Sequence, residues 1–201
     1  MSKGFLVILS SPSGGGKTTL RKEILHKNPS LYYSVSCTTR PPREGEEEGK
    51  DYIFLPEEEF RKKIEQGEFL EWATVHGYLY GTLKETVEEK LREGKIVLLD
   101  IDVQGARKLR KIFPESVYIF ILPPSWEELE RRLKRRRTES PPKIKERLKI
   151  AQWEIRFYTD YDYLIINDKV EKAVEEILCI IEAEKRKMRR NEKVIEKWLK
   201  K

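Results

Sequence analysis

The chain has 201 residues, a formal net charge of +6 and 38% charged side chains. That length suits one compact domain with room for a small insertion, and its apolar runs are strand-length, far short of the roughly 18 residues a membrane span needs. Cys37 and Cys179 lie in unrelated segments without CxxC or zinc spacing, and no apolar signal segment follows the N-terminal Met, so a reducing, cytoplasmic setting is expected rather than a disulfide framework.

Asn and Gln number three each, and with the charge excess this resembles the composition of hyperthermophile proteins. The positive balance suits polyanionic partners, nucleotides among them. In chain order, FLVIL (5–9) reads as a buried strand, followed by the glycine loop SSPSGGGKTT and a helix. Further strands are expected at YYSVS (32–36), IVLLD (96–100), VYIFIL (117–122) and YLIIN (163–167). Near-continuous apolar runs suit parallel strands covered on both faces, and the amphipathic helices at 83–93, 126–136 and 144–157 supply the cover. Strands alternating with helices imply a doubly wound α/β sheet.

The stretch from about 40 to 83 departs from this alternation. YIF (52–54) and EFLEWATV (68–75) read as antiparallel strands of a small α+β insertion, with a possible turn at His76-Gly77. A short helix lies between them, Pro56 near its start and Gly67 beyond its end. RRRTESPP (135–142) breaks a long helical stretch with two prolines and reads as a lid. From 171 to 201 runs one charged helical pattern. Its stripe of Val194, Ile195, Trp198 and Leu199 is expected to dock back on the domain, with a subunit contact as the alternative.

SPSGGGKT (11–18) follows the phosphate-loop pattern G-x-x-x-x-G-K-[ST], except that Ser11 stands at the first glycine position. Main-chain N–H groups across Gly14, Gly15 and Gly16 can converge on phosphate oxygens. Lys17 supplies charge for the β- and γ-phosphates, and the Thr18 hydroxyl is placed for magnesium. Pro12, Ser13 and Thr19 complete the expected ATP loop. The strand IVLLDID ends in Asp100 and Asp102, which share a face of extended chain. Asp100 is the expected magnesium-side carboxylate, although the sequence alone leaves open which of the two lies nearer the metal.

VSCTTRPPREGEEEGKDY (35–52), EFLEWATVHGYLYGT (68–82) and LLDIDVQG (98–105) together resemble the guanylate kinases, P-loop nucleoside monophosphate kinases, over residues 5 to about 183. The resemblance implies a P-loop kinase core at about 1–36, 83–125 and 158–184, a GMP-binding insertion at about 37–82 and a helical lid at about 126–157. It implies transfer of the γ-phosphoryl group of ATP to GMP with Mg2+ bound alongside ATP, and leaves use of dGMP open. By the same resemblance, Arg40, Arg43, Tyr52 and Tyr80 hold the GMP phosphate, and Ser36, Glu71 and Thr82 read the guanine edge. Glu46 and Asp100 line the acceptor site with Asp102 close by, Arg132, Arg136 and Arg147 close on the transferred group, and Asn167 sits beside the adenine.

The residue types suit that chemistry. Arginine forks and phenol hydroxyls match a phosphate dianion, while a carboxylate and two hydroxyls complement the N1, N2 and O6 edge of guanine. Arg137 stands where the family usually has glycine, so which lid arginines reach the phosphates stays open. Guanylate-kinase-like scaffold domains that bind phosphorylated peptides typically lack a working phosphate loop, and GGGKT argues against that class. An RNA-binding P-loop ATPase would call for aromatic stacking motifs that the chain lacks. Expected partners are therefore ATP and GMP, with neither nucleic acid nor membrane, in a monomer or homodimer carrying a basic helical extension at 185–201.

Overall fold

The computed structural model describes residues 4–135 and 141–200. Strands β1 (Phe5–Ser10), β2 (Tyr32–Tyr33), β7 (Ile96–Asp100), β8 (Val117–Leu122) and β9 (Tyr163–Ile166) form an all-parallel sheet in the order β2-β7-β1-β8-β9. Odd and even residues of β1 leave on opposite faces and both are buried, which explains the unbroken apolar run. Val7 and Leu9 meet Leu20 and Ile24 of α1 (Lys17–Lys27) and Val174, Ile177 and Ile181 of α7 (Val170–Lys185). Leu6 and Ile8 face Val87 of α3 (Lys84–Arg92) and Leu109 of α4 (Val103–Ile112). Each such fully buried side chain contributes roughly 1.5–3 kcal/mol.

A second sheet stands over the carboxyl ends of these strands, in the order β4-β3-β6-β5, from β3 (Cys37–Thr38), β4 (Ile53–Phe54), β5 (Phe69–Val75) and β6 (Tyr78–Leu83). The β5–β6 hairpin closes at His76 and Gly77, with φ of 51° and 83°, the positive pair a tight hairpin turn requires. Its core joins Cys37, Phe60, Phe69 and Leu79, with Phe60 of α2 (Glu57–Glu65) stacked on Phe69 at 4.4 Å.

Several expectations are corrected. The 32–36 run is not one strand: after Ser34 donates to the Leu98 carbonyl at 3.1 Å, the chain leaves the first sheet and joins the second at Cys37. Ile53–Phe54 pairs parallel with β3 rather than antiparallel with 69–75, whose partner is β6. Separate helices α5 (Trp126–Arg135) and α6 (Pro141–Ile155) flank the expected break, but the two prolines open α6, which begins three residues earlier than expected. Proline at a first helical turn loses no hydrogen bond. The tail is two helices, α7 and α8 (Met188–Leu199). The stripe does not dock: Val194 and Ile195 are 42% exposed and Trp198 75%. Arg190 anchors α8 instead, donating to Glu184 Oε2 at 3.1 Å and to the carbonyls of Glu184 and Glu115, with its guanidinium over the Phe5 ring.

Candidate active site

The phosphate loop links β1 to α1 at the carboxyl edge of the parallel sheet, where open α/β folds bind ligands. Gly14 and Gly16 have φ of 93° and 91°, and Gly16 is the residue immediately before α1. A Cβ at Gly16 would overlap the Asn167 amide, so this position accepts only glycine. At the irregular first position, Ser11 is buried, and its Cβ lies 2.7 Å from where a Gly15 Cβ would stand. The serine is tolerated because Gly15 lacks one.

Lys17 Nζ donates to the Ile101 carbonyl at 2.7 Å, which ties the loop to the end of β7. Asn167, placed by the end of β9, donates to the Gly15 carbonyl at 2.9 Å. Arg132 on α5 donates to the Asn167 carbonyl at 2.8 Å and to Glu128 at 2.7 Å. Asn167 and Arg132 therefore brace the outside of the loop, and neither lines the cleft. Arg147 on α6 does line it, and donates to the Ser13 hydroxyl at 2.9 Å. Arg136 lies outside the described residues.

One cleft is lined by the whole loop from Ser11 to Thr19 together with Ser36, Arg43, Tyr52, Glu71, Tyr80, Asp100, Asp102 and Arg147. Residues expected at two substrates thus share one cavity. Burial, reinforced by Asp100 and Tyr80, raises the Tyr52 phenol above its ordinary range, so it remains a neutral donor. Its ring meets Tyr80 edge-on at 5.9 Å. Arg40 lies beside the cleft in a neighbouring groove with Arg43, Tyr80 and Arg147. Its Nη2 donates to both Glu46 carboxylate oxygens, at 2.8 and 2.9 Å, its Nη1 to the Pro41 carbonyl at 2.6 Å, and its Nε to the Tyr80 hydroxyl at 3.1 Å. Burial alone would lower the Arg40 pKa, but these bonds raise it. Glu46 also accepts the Arg43 N–H at 2.8 Å, so it organises the arginine loop rather than lining the cleft.

Glu71, on β5, is 6% exposed. Burial pushes its carboxyl up to about 7, a hydrogen bond from Thr82 opposes this, and Asp102 adds to it. Thr82 donates to Glu71 Oε1 at 2.7 Å from a fully buried position behind it. Thr82 thus orients the carboxylate and does not face the cleft, unlike Ser36. Asp102 precedes α4 and accepts from Gly105 N at 2.9 Å and Gln104 Nε2 at 3.1 Å. Asp100, buried at the end of β7, accepts from the Tyr33 hydroxyl at 3.3 Å and pairs with Arg21 at 3.8 Å, so both carboxylates are partnered.

Sequence reasoning passed over three features. Arg21, 2% exposed, joins Asp51 at 2.7 Å, Tyr33 and Asp100, and so pins the insertion loop to the core. Gly105 lies against Glu71, whose carboxylate a Cβ there would overlap. Glu154 of α6 lines the cleft and accepts the Ser13 N–H at 3.1 Å. Asp51 and Gly105 sit inside the quoted motifs, and their positions were the available signal. Glu154 had none, being one glutamate on an amphipathic helix.

The model of the guanylate kinase family matches residues 3–184. A guanylate kinase of Thermotoga maritima is 48% identical over 98% of this chain and 95% of its own, and one of Caldanaerobacter subterraneus subsp. tengcongensis is 51% identical over 94% and 92%. The crystal structure of guanylate kinase from Anaplasma phagocytophilum superposes with a TM-score of 0.80 at 40% identity, over 94% of this chain and 90% of that one. With its phosphate loop and acceptor residues gathered in one cleft, the chain belongs to the guanylate kinase family of nucleoside monophosphate kinases.

Proposed function

We propose that the cleft is where this ATP-dependent GMP kinase moves the γ-phosphoryl group of ATP to GMP, with ATP on the phosphate loop and GMP beneath the second sheet. The observation that carries this placement is the shared cavity: Lys17 and Thr18 line it together with Ser36, Glu71, Tyr52 and Tyr80. Arg43, Tyr52 and Tyr80, with Arg40 behind them, form a cationic and phenolic end suited to the GMP phosphate. Ser36 and Glu71, the latter oriented by Thr82, form the end suited to guanine. Lys17 and Arg147 face the ATP phosphates, and Arg136 is assigned to the lid from its sequence position.

The acceptor needs no general base, because a phosphate monoester with a second pKa of about 6 is largely dianionic at neutral pH. Catalysis then rests on bringing two polyanions into line and neutralising them. Magnesium fits the oxygen donors present, a hydroxyl at Thr18 and a carboxylate at Asp100, since this ion takes one or two protein ligands beside the substrate phosphates. Bound there, it would offset negative charge on the phosphate oxygens. Among the described residues no helix is long and apolar enough to cross a membrane, and free Cys37 and Cys179 support a reducing cytoplasm. The residue assignments are tested by turnover with ATP alone and with GMP added. ADP should form with an equal amount of GDP only when both are present, and Arg43→Ala should raise KM for GMP while leaving KM for ATP nearly unchanged. An equal rise in both constants would contradict the placement.

A further inference from the structure

Helix α6 brings a carboxylate onto the phosphate loop that the transfer reaction does not call for. Glu154, in its last turn, is 6% exposed and accepts the Ser13 main-chain N–H at 3.1 Å. Two turns earlier on the same helix, Arg147 donates to the Ser13 hydroxyl at 2.9 Å. A single helix therefore grips one loop residue by both main chain and side chain. A phosphate loop works by aiming N–H groups at an anion, and here one of those groups is already paired with an anionic oxygen of the protein.

The surroundings make that position sensitive to charge. Lys17 from the start of α1 and Arg147 from α6 favour the ionised form. Asp102 from the start of α4 opposes it, and the buried Tyr161 phenol packs nearby. Burial is the largest influence and pushes the Glu154 carboxyl up to about 7. A polyphosphate entering the same cleft would meet this group at the Ser13 amide. Two anions brought together at one amide disfavour each other's charge.

We infer that Glu154 is an internal stand-in for a phosphate oxygen, a positioning residue that holds the loop to α6 and gives up its charge when ATP binds. ATP binding is thereby linked to proton uptake at Glu154 and to the seating of α6 on the loop. This rests on the placement of ATP at the phosphate loop, and the test separates the two.

The test compares ATP affinity of the full chain and of Glu154→Gln, by calorimetry without GMP, near pH 6 and near pH 8. Glutamine keeps an acceptor for Ser13 and removes the charge. The ionisation of ATP itself and its magnesium binding cancel in the ratio of the two affinities. For a group titrating at about 7 that must be neutral, the variant should bind ATP about tenfold more tightly near pH 8 and within about twofold near pH 6. Glu154→Ala, which also lacks the charge, should show the same pH dependence whatever its effect on stability. A merely structural role would shift both affinities by one factor at both pH values, and that flat ratio would overturn the inference. If the unmodified protein binds GMP but no ATP at either pH, the placement of ATP falls as well.

Discussion

Glu71 is buried beside Asp102, yet its proposed role at a guanine edge offering N1–H and N2–H2 needs it ionised. Its ordinary pKa of 4.5 rises to about 7 in the folded chain. Between those values the folded state holds a proton that the unfolded state has lost, so this group's contribution to stability falls as pH rises through the window and the full cost is present above about 7. Glu71→Gln should therefore melt a few degrees higher than the unmodified protein near pH 8 without nucleotide, a gain of about 2–4 °C per kcal/mol for a chain this size. The difference should vanish near pH 4.5, and thermal unfolding across that range checks it. Gly105→Ala should act on the same carboxylate from behind. Its Cβ would overlap Glu71, so KM for GMP should rise about tenfold or more and KM for ATP should hold, measured by steady-state kinetics. Lys17 and the glycines were legible because their motif is local. Glu154 was not, since its bond to Ser13 spans 141 residues and no spacing rule reaches so far.

Among the elements, the buried parallel strands were legible because burial on both faces forces continuous apolar runs. The short strands of the second sheet were not. β3 and β4 are two residues each, and they pair because the chain leaves the first sheet after Ser34, β3 joins β6, and β4 joins β3. The tail misled for another reason. Its apolar stripe suggested how α8 docks, but the anchor is Arg190, a charged residue paired with buried Glu184. Arg190→Ala removes this ion pair and two bonds to main-chain carbonyls, while Lys187 and the Tyr163 hydroxyl still partner Glu184. It should cost about 1–3 kcal/mol and free α8 from the body, while Trp198→Ala on the exposed stripe should cost under about 0.5 kcal/mol. Chemical denaturation of the two variants distinguishes these anchors, and equal losses would contradict the Arg190 account.

Across the whole molecule, the parallel sheet delivers the phosphate loop, Asp100 and Asp102 to one edge, and the second sheet hangs Ser36, Tyr52, Glu71 and Tyr80 over that edge. Residues as far apart in the chain as Ser11 and Asp102 thus line one cleft because two sheets meet. Lys17→Ala should lower kcat by about 10²–10³ or more, as loss of a preorganised charge at a transferring group does, with the circular dichroism spectrum of the fold unchanged. The measurement that bears most directly on the cleft's two-ended character is kcat/KM for GMP against AMP at saturating ATP, in the unmodified protein and in Glu71→Gln. Adenine has no N1–H and no 2-amino group, so it would set an acceptor against the Glu71 carboxylate. Sites that mispair buried polar groups reject a near-isostere by roughly 10⁴-fold. The account predicts a preference for GMP of about that size, reduced in the variant by more than any change in KM for ATP. Comparable kcat/KM for GMP and AMP in the unmodified protein would contradict it.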